Sequence, residues 1–194
     1  MDWTAIGAVG HCVATTIAFV VLVYAVQKDG WKRPTLSLRF EPDHDVKSQD
    51  NSRLWAGERA SQYSRWLRIR VENTNRWKAA KNCKAYLTGI KNLATGEDLF
   101  PSDVRQLRWM HDHSEVPAGR DLLPGVVHWF DVLTSFHDRS RLAVCAFPEW
   151  GVDAPGDYLF SVQVSAEDTD PVALSVVVSS DGSWQSLTGR KHHA

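Results

Sequence analysis

Eight basic side chains lie between Arg65 and Lys91: Arg65, Arg68, Arg70, Arg76, Lys78, Lys81, Lys84 and Lys91, against Glu72 alone. That is a local balance of +7 in a chain whose total is -1, so the remainder sums to -8 and the charge is polarised along the sequence. Trp66, Trp77 and Tyr86 stand among these cations. Cations interleaved with flat rings suit three partners. Anionic lipid attracts each basic residue near its surface by about 1 kcal/mol, a nucleic-acid strand stacks its bases on aromatic rings, and an acidic protein surface takes Trp and Arg as anchors. If Leu67, Ile69 and Val71 face a core, Trp66, Arg68 and Arg70 face out, and a partner strand in a hairpin sends Lys84 and Tyr86 to the same side. The expected binding face is therefore Trp66, Arg68, Arg70, Arg76, Trp77, Lys78, Lys81, Lys84 and Tyr86. The simpler reading is a solvated strand pair whose cations meet the chain's own Asp43, Asp45 and Asp50.

Other chemistry is thinner. His111-x-His113 puts two imidazoles on one side of a strand, a spacing metal sites use, with Asp112, His128 or His137 to complete a shell; without a second spaced motif these are weak metal candidates. There is no Gly-x-Ser-x-Gly, no phosphate-cradling glycine loop, no His-Glu-x-x-His and no cysteine in a catalytic context. Asp43-His44-Asp45 and Glu97-Asp98 read as turn chemistry. No catalytic residue and no cofactor is expected, and a metal-dependent enzyme ranks third among the readings.

The elements that would carry these residues read as strands. Period-two alternation dominates after residue 34: Leu36, Leu38 and Phe40; Leu67, Ile69 and Val71; Cys83, Ala85 and Leu87; His128 to Leu133; Arg141 to Phe147; Tyr158, Phe160, Val162 and Val164; and Val172, Leu174, Val176 and Val178. Seven or more short strands separated by Gly, Pro, Asn and Asp predict an antiparallel immunoglobulin-like β-sandwich over 32–183, with a flexible tail over 184–194. The polar interval Asp43 to Ser64 suits a short helix or mobile loop, with Leu54-Trp55 tucked back, and Arg105 to Met110 suits a short strand.

Ahead of this domain, residues 4 to 26 contain no Asp, Glu, Lys or Arg. At ~1.5 Å per residue such a run crosses a ~30 Å hydrocarbon core once as a helix. Trp3 and Trp31 suit the two interfaces, and Lys28, Lys32 and Arg33 follow the run while no basic residue precedes it, unlike the basic n-region of a cleaved signal peptide. The expectation is a single-pass transmembrane anchor over 1–31 in a bacterial inner membrane, N-terminus outside and the C-terminal domain cytoplasmic. Gly7, Gly10, His11, Ala14 and Ala18 lie near one helical stripe, which lets a second helix approach closely and points to homo-oligomers or a membrane partner. Three cysteines, Cys12, Cys83 and Cys145, an odd number, agree with a reducing compartment.

The stretch Val71-Glu72-Asn73-Thr74-Asn75-Arg76-Trp77-Lys78-Ala79-Ala80-Lys81-Asn82-Cys83-Lys84-Ala85-Tyr86-Leu87 resembles the hairpin of bacterial immunoglobulin-like adhesion or CARDB-type sandwich modules, with Asn75 where the pattern has Gly and Arg76-Trp77-Lys78 as an insertion. Ala154-Pro155-Gly156-Asp157-Tyr158 is similar to their strand entry, in which the resemblance implies that the tyrosine braces a corner. The resemblance speaks to fold alone. In an exported sandwich of this type Cys83 and Cys145 would be spaced as an inter-sheet pair; buried reduced thiols are the alternative.

These readings give a first expectation of a non-enzymatic membrane protein whose cytoplasmic sandwich is an interaction or scaffold module of a membrane assembly. A second is a tethered sensor or effector that binds nucleic acid or an anionic ligand through the basic aromatic hairpin. A net charge of -1 excludes a globally basic nucleic-acid binder, which leaves nucleic acid the least favoured partner.

Overall fold

The computed structural model describes residues 16–25, 33–50, 63–99, 104–110, 112, 117–137, 141–145 and 151–192. It divides into two compact units, Met1–Arg33 and Pro34–Ala194.

In the first unit the described part is a helix, α1, over residues 16–25, with Ile17, Phe19, Val20, Val21, Leu22 and Tyr24 exposed. Among the described residues no helix is long and apolar enough to cross a membrane. This corrects the expected transmembrane anchor, and with it the single-pass inner-membrane placement and the assigned orientation. Of the small-residue stripe, Ala18 is on α1; Gly7, Gly10, His11 and Ala14 lie outside the described residues.

The second unit is two antiparallel sheets. The first joins β1 (Leu36–Arg39), β3 (Tyr63–Asn73), β8 (Val127–Phe136), β9 (Arg141–Val144) and β10 (Gly151–Asp153) in that order, with β2 (Val46–Asp50) also on β3 and β6 (Arg108–Trp109) also on β8. The second runs β13 (Thr188–Lys191), β12 (Val172–Ser180), β11 (Gly156–Glu167), β4 (Ala80–Asn92) and β5 (Arg105–Gln106), with β7 (Arg120–Leu122) also on β4. Alternation makes the core: Leu67, Ile69 and Val71 of β3 and Phe130 of β8 meet Cys83, Ala85 and Leu87 of β4 and Phe160, Val162 and Val164 of β11, all at 0% exposure.

The consecutive long strands β3 and β4 do not pair with each other. β3 pairs β8, and β4 pairs β11, so the chain crosses from one sheet to the other between residues 73 and 80. The expected β3–β4 hairpin is thus corrected to a crossover. Both strands are apolar on one face only, and placing those faces against each other buries both, whereas side-by-side pairing leaves the same face to be covered by something else. The expected strand at Arg105 to Met110 is present and split: it leaves β4 after Gln106, buries Leu107 completely and joins β8 at Arg108.

Between β1 and β2 sits one helical turn, α2 (Pro42–Asp45), in the polar interval where a short helix is expected. Leu54 and Trp55 lie outside the described residues. The C-terminal segment is not a tail. Leu187 and Gly189 are buried and β13 pairs β12 from Val176 to Ser179, which corrects the expected 184–194 boundary. Tyr158, 3% exposed, donates its hydroxyl to the Asp153 carbonyl at 2.5 Å, the corner contact expected of that tyrosine.

Candidate binding surfaces

The crossover separates the nine residues of the expected basic face into three places. On the outer face of the first sheet stand Trp66, Arg68 and Arg70. Trp66 donates Nε1–H to Ser64 Oγ at 2.6 Å and meets Phe136 edge-on at 6.5 Å. Arg68 lies 5.6 Å from the Trp66 ring centre, bonds Asp131 Oδ1 through Nε at 2.7 Å and reaches Gln49 Oε1 at 3.1 Å. Arg70 pairs with Asp45 at 3.1 Å and Glu41 at 2.9 Å. Burial alone would lower the Arg70 guanidinium, but the two carboxylates outweigh it and hold it above its ordinary value.

Asp45 is the centre of that second network. It is wholly buried and accepts from the Glu41 backbone N–H at 2.6 Å, from Arg70, and from Trp129 Nε1–H at 3.3 Å. The Arg70 and Trp129 donors dock α2 onto the sheet, and with the Glu41 N–H they satisfy the charge. The cations of this face are spent on internal carboxylates, so it carries little free charge for a ligand.

Lys84 and Tyr86 lie on the outer face of the other sheet, opposite Ser165 and Gln163 of β11. They cannot join Arg68 and Arg70 in one contact surface, because the whole core stands between them.

The remaining residues, Arg76, Trp77, Lys78 and Lys81, form a cluster at the end of the sandwich where β3 crosses to β4. Trp77 is 81% exposed. Its loop is nonetheless pinned. Asn75 Oδ1 accepts the backbone N–H of Trp77 at 2.7 Å and of Lys78 at 3.1 Å, a side-chain mimic of a backbone turn. Asn73, fully buried, donates Nδ2–H to the carbonyls of Lys78 at 2.8 Å and Leu122 at 3.1 Å, while its Oδ1 accepts from Thr35 and Asn75. Its own carbonyl accepts from Gly125 N–H at 2.8 Å. Asn73 thereby ties the Trp77 loop, the 123–126 turn and the start of β1 into one rigid end. The 123–126 turn adds exposed Leu123 (59%) and Val126 (41%). Lys78 reaches Asp168 at 3.4 Å with both side chains well exposed, a pair that water screens.

Sequence reasoning missed Leu123, Val126 and Asn73. Leu123 falls in the interval Pro101 to Gly125, which reads as loop outside the short strand at Arg105 to Met110, and nothing in the sequence marks Leu123 or Val126 as a contact residue.

Cys83 and Cys145 are both free. Burial raises the Cys83 thiol to about 11, and burial likewise pushes Cys145 well up, with Asp131 adding to it. His111 and His113 lie outside the described residues, and among the described residues no group of three His, Cys, Asp or Glu side chains is placed to hold a metal ion.

No family model matches the chain, and no curated protein matches it. Among solved structures it is similar to a family 123 glycoside hydrolase from Clostridium perfringens studied for glycolipid glycan hydrolysis, at 12% identity over 73% of this chain and 26% of that one, with a TM-score of 0.34. The chain thus spans about a quarter of that enzyme's length, and a likeness of this size carries no argument about activity.

Proposed function

We propose that the protein is a binding module whose β-sandwich presents the Trp77 end to an acidic protein partner. The carrying observation is an indole 81% exposed on a loop held from both sides by Asn73 and Asn75. A folded chain gains nothing by holding a Trp in water. A partner that closes over it gains a large apolar ring whose loop is already ordered, so little entropy is lost on binding. Leu123 and Val126 extend the apolar contact, while Arg76, Lys78 and Lys81 ring it with positive charge, the composition of an interface hot spot with a steering rim. Truncating such an anchor costs ~2–4 kcal/mol of affinity, roughly 30- to 1,000-fold.

The test is a photo-reactive amino acid at Trp77 in the full-length chain, expressed in its own cells. A specific protein adduct is expected, absent when the same group replaces exposed Thr188. Binding of that protein to purified wild type should weaken with added salt and fall at least roughly 30-fold in Trp77→Ala, with the thermal midpoint unchanged. Phosphatidylserine vesicles or single-stranded oligonucleotides that bind the wild type and lose binding in Trp77→Ala would instead assign the end to lipid or nucleic acid. Equal adducts at residues 77 and 188 would remove the site.

A further inference from the structure

At the open edge between the sheets, close to the 123–126 turn, three nitrogen-bearing side chains gather, and among the described residues none of them meets a hydrogen-bond acceptor. Trp109 of β6 pairs with Phe130 and points into the core, 1% exposed, and its indole Nε1–H has no hydrogen-bond partner. Arg120 of β7 stands opposite Cys83, so it is directed inward like its neighbour-but-one Leu122, which is fully buried. Its guanidinium carbon lies 5.7 Å from the Trp109 ring centre, and among the described residues no carboxylate pairs with it. Asp121, next in the chain, accepts from the Asn82 backbone N–H instead. His128 of β8 stands opposite buried Val71 and therefore also faces inward, with its ring edge-on to Trp109 at 6.4 Å. Burial, and then the Arg120 charge, lower the His128 imidazole.

Inward arginines in a sandwich are normally paired, because a half-buried guanidinium without an acceptor forgoes its strongest bonds. A buried indole N–H without an acceptor has a similar cost. Both deficits are met by one small planar group with two acceptor oxygens. We propose that Arg120, His128 and Trp109 form a receiving site for a small carboxylate, its two oxygens bridged by the Arg120 fork and entering from the half-exposed Arg120–His128 side. The fork matches a carboxylate in shape, and the neutral tendency of His128 favours a single negative charge over a doubly charged ion. The site is independent of the Trp77 anchor and stands or falls separately from it.

The full-length chain, labelled with nitrogen-15, is titrated with sodium acetate at constant ionic strength against sodium chloride. The reporters are the Trp109 indole N–H signal, assigned by its loss in Trp109→Phe, and the Arg120 Nε–H signal. Acetate is expected to move both along one saturating curve, and Arg120→Gln to weaken that binding roughly 10- to 100-fold, the loss expected for a charge-assisted pair of bonds. Three results overturn the proposal: shifts no larger than those with chloride, an Arg120→Gln titration equal to wild type, or inorganic phosphate binding more tightly than acetate. Should Arg120→Gln fail to fold, the wild-type titration decides by itself, since an unmoved Trp109 signal refutes the site.

Discussion

Reversing the charge at Arg68 separates a free binding surface from a structural lattice. Alternation along β3 alone makes Arg68 a solvent-facing cation whose loss is mild. The structure places it in a 2.7 Å bond to Asp131 with both side chains only 14% exposed, with further contacts to Gln49 at 3.1 Å and to the Trp66 ring at 5.6 Å. Arg68→Asp removes a charge-assisted bond worth ~1.5–3 kcal/mol and a cation–ring contact worth ~0.5–1 kcal/mol. It also sets two carboxylates about 5 Å apart, which at an effective dielectric near 20 repel by roughly 3 kcal/mol. Relaxation of the shorter side chain outward reduces the total to about 4–6 kcal/mol. That is a large part of the ~5–15 kcal/mol that holds an ordinary domain together, and in a unit of ~160 residues it lowers the melting temperature by roughly 10–20 °C. Urea unfolding of the full-length chain, followed by tryptophan fluorescence, measures it. Arg68→Met should cost clearly less, because it removes the pair without adding repulsion, and Arg68→Asp combined with Asp131→Arg should recover part of the loss. An Arg68→Asp midpoint within ~1 kcal/mol of wild type, or a swap no better than the single variant, would show that the pair contributes nothing to the fold.

Three further outcomes follow from the packing. Gly189→Ala brings a methyl to 2.6 Å from Phe40 Cζ and 2.9 Å from Leu67 Cδ1, both in the core, and should destabilise by ~1–3 kcal/mol in the same assay. Asn73→Ala strips a fully buried side chain of donors and acceptor and should cost ~2–3 kcal/mol; raised hydrogen exchange at Trp77 and Gly125 would report the loosened end, and unchanged protection there would contradict the bracing role. The Cys83 thiol, raised to about 11 in the fold from an ordinary value of 9.0, stays protonated where the unfolded chain already ionises. Its contribution is therefore fully present below pH 9 and is lost as pH rises through 9 to 11, by up to ~3 kcal/mol; a Cys83→Ala variant should show a correspondingly flatter stability profile in that window.

How much of this was legible beforehand follows from range. Period-two alternation is a local property, so the strand content, the inward set Leu67, Ile69 and Val71, and the helical propensity after Phe40 could be read residue by residue. So could the turn at Asn75, whose side chain bonds its own backbone two and three residues on. An uncharged run over residues 4–26 is also local, yet among the described residues no helix is long and apolar enough to cross a membrane. Which strand lies beside which is a long-range choice. An alternating strand has the same pattern whether its sequence neighbour sits beside it or across the core, and that choice decided the surroundings of these basic residues. Crossing over at residues 73–80 sent Arg68 to Asp131, 63 positions away, and Arg70 to Asp45, set Lys84 and Tyr86 on the far face, and left Trp77 standing alone on the connecting loop. The same distance hid Trp109, Arg120 and His128 from each other in the sequence: they come from three strands in two sheets and meet only because both sheets turn those faces inward. Residue types can be read along a chain, but an ion pair or an unpaired donor exists only once two distant segments share a few ångströms of space.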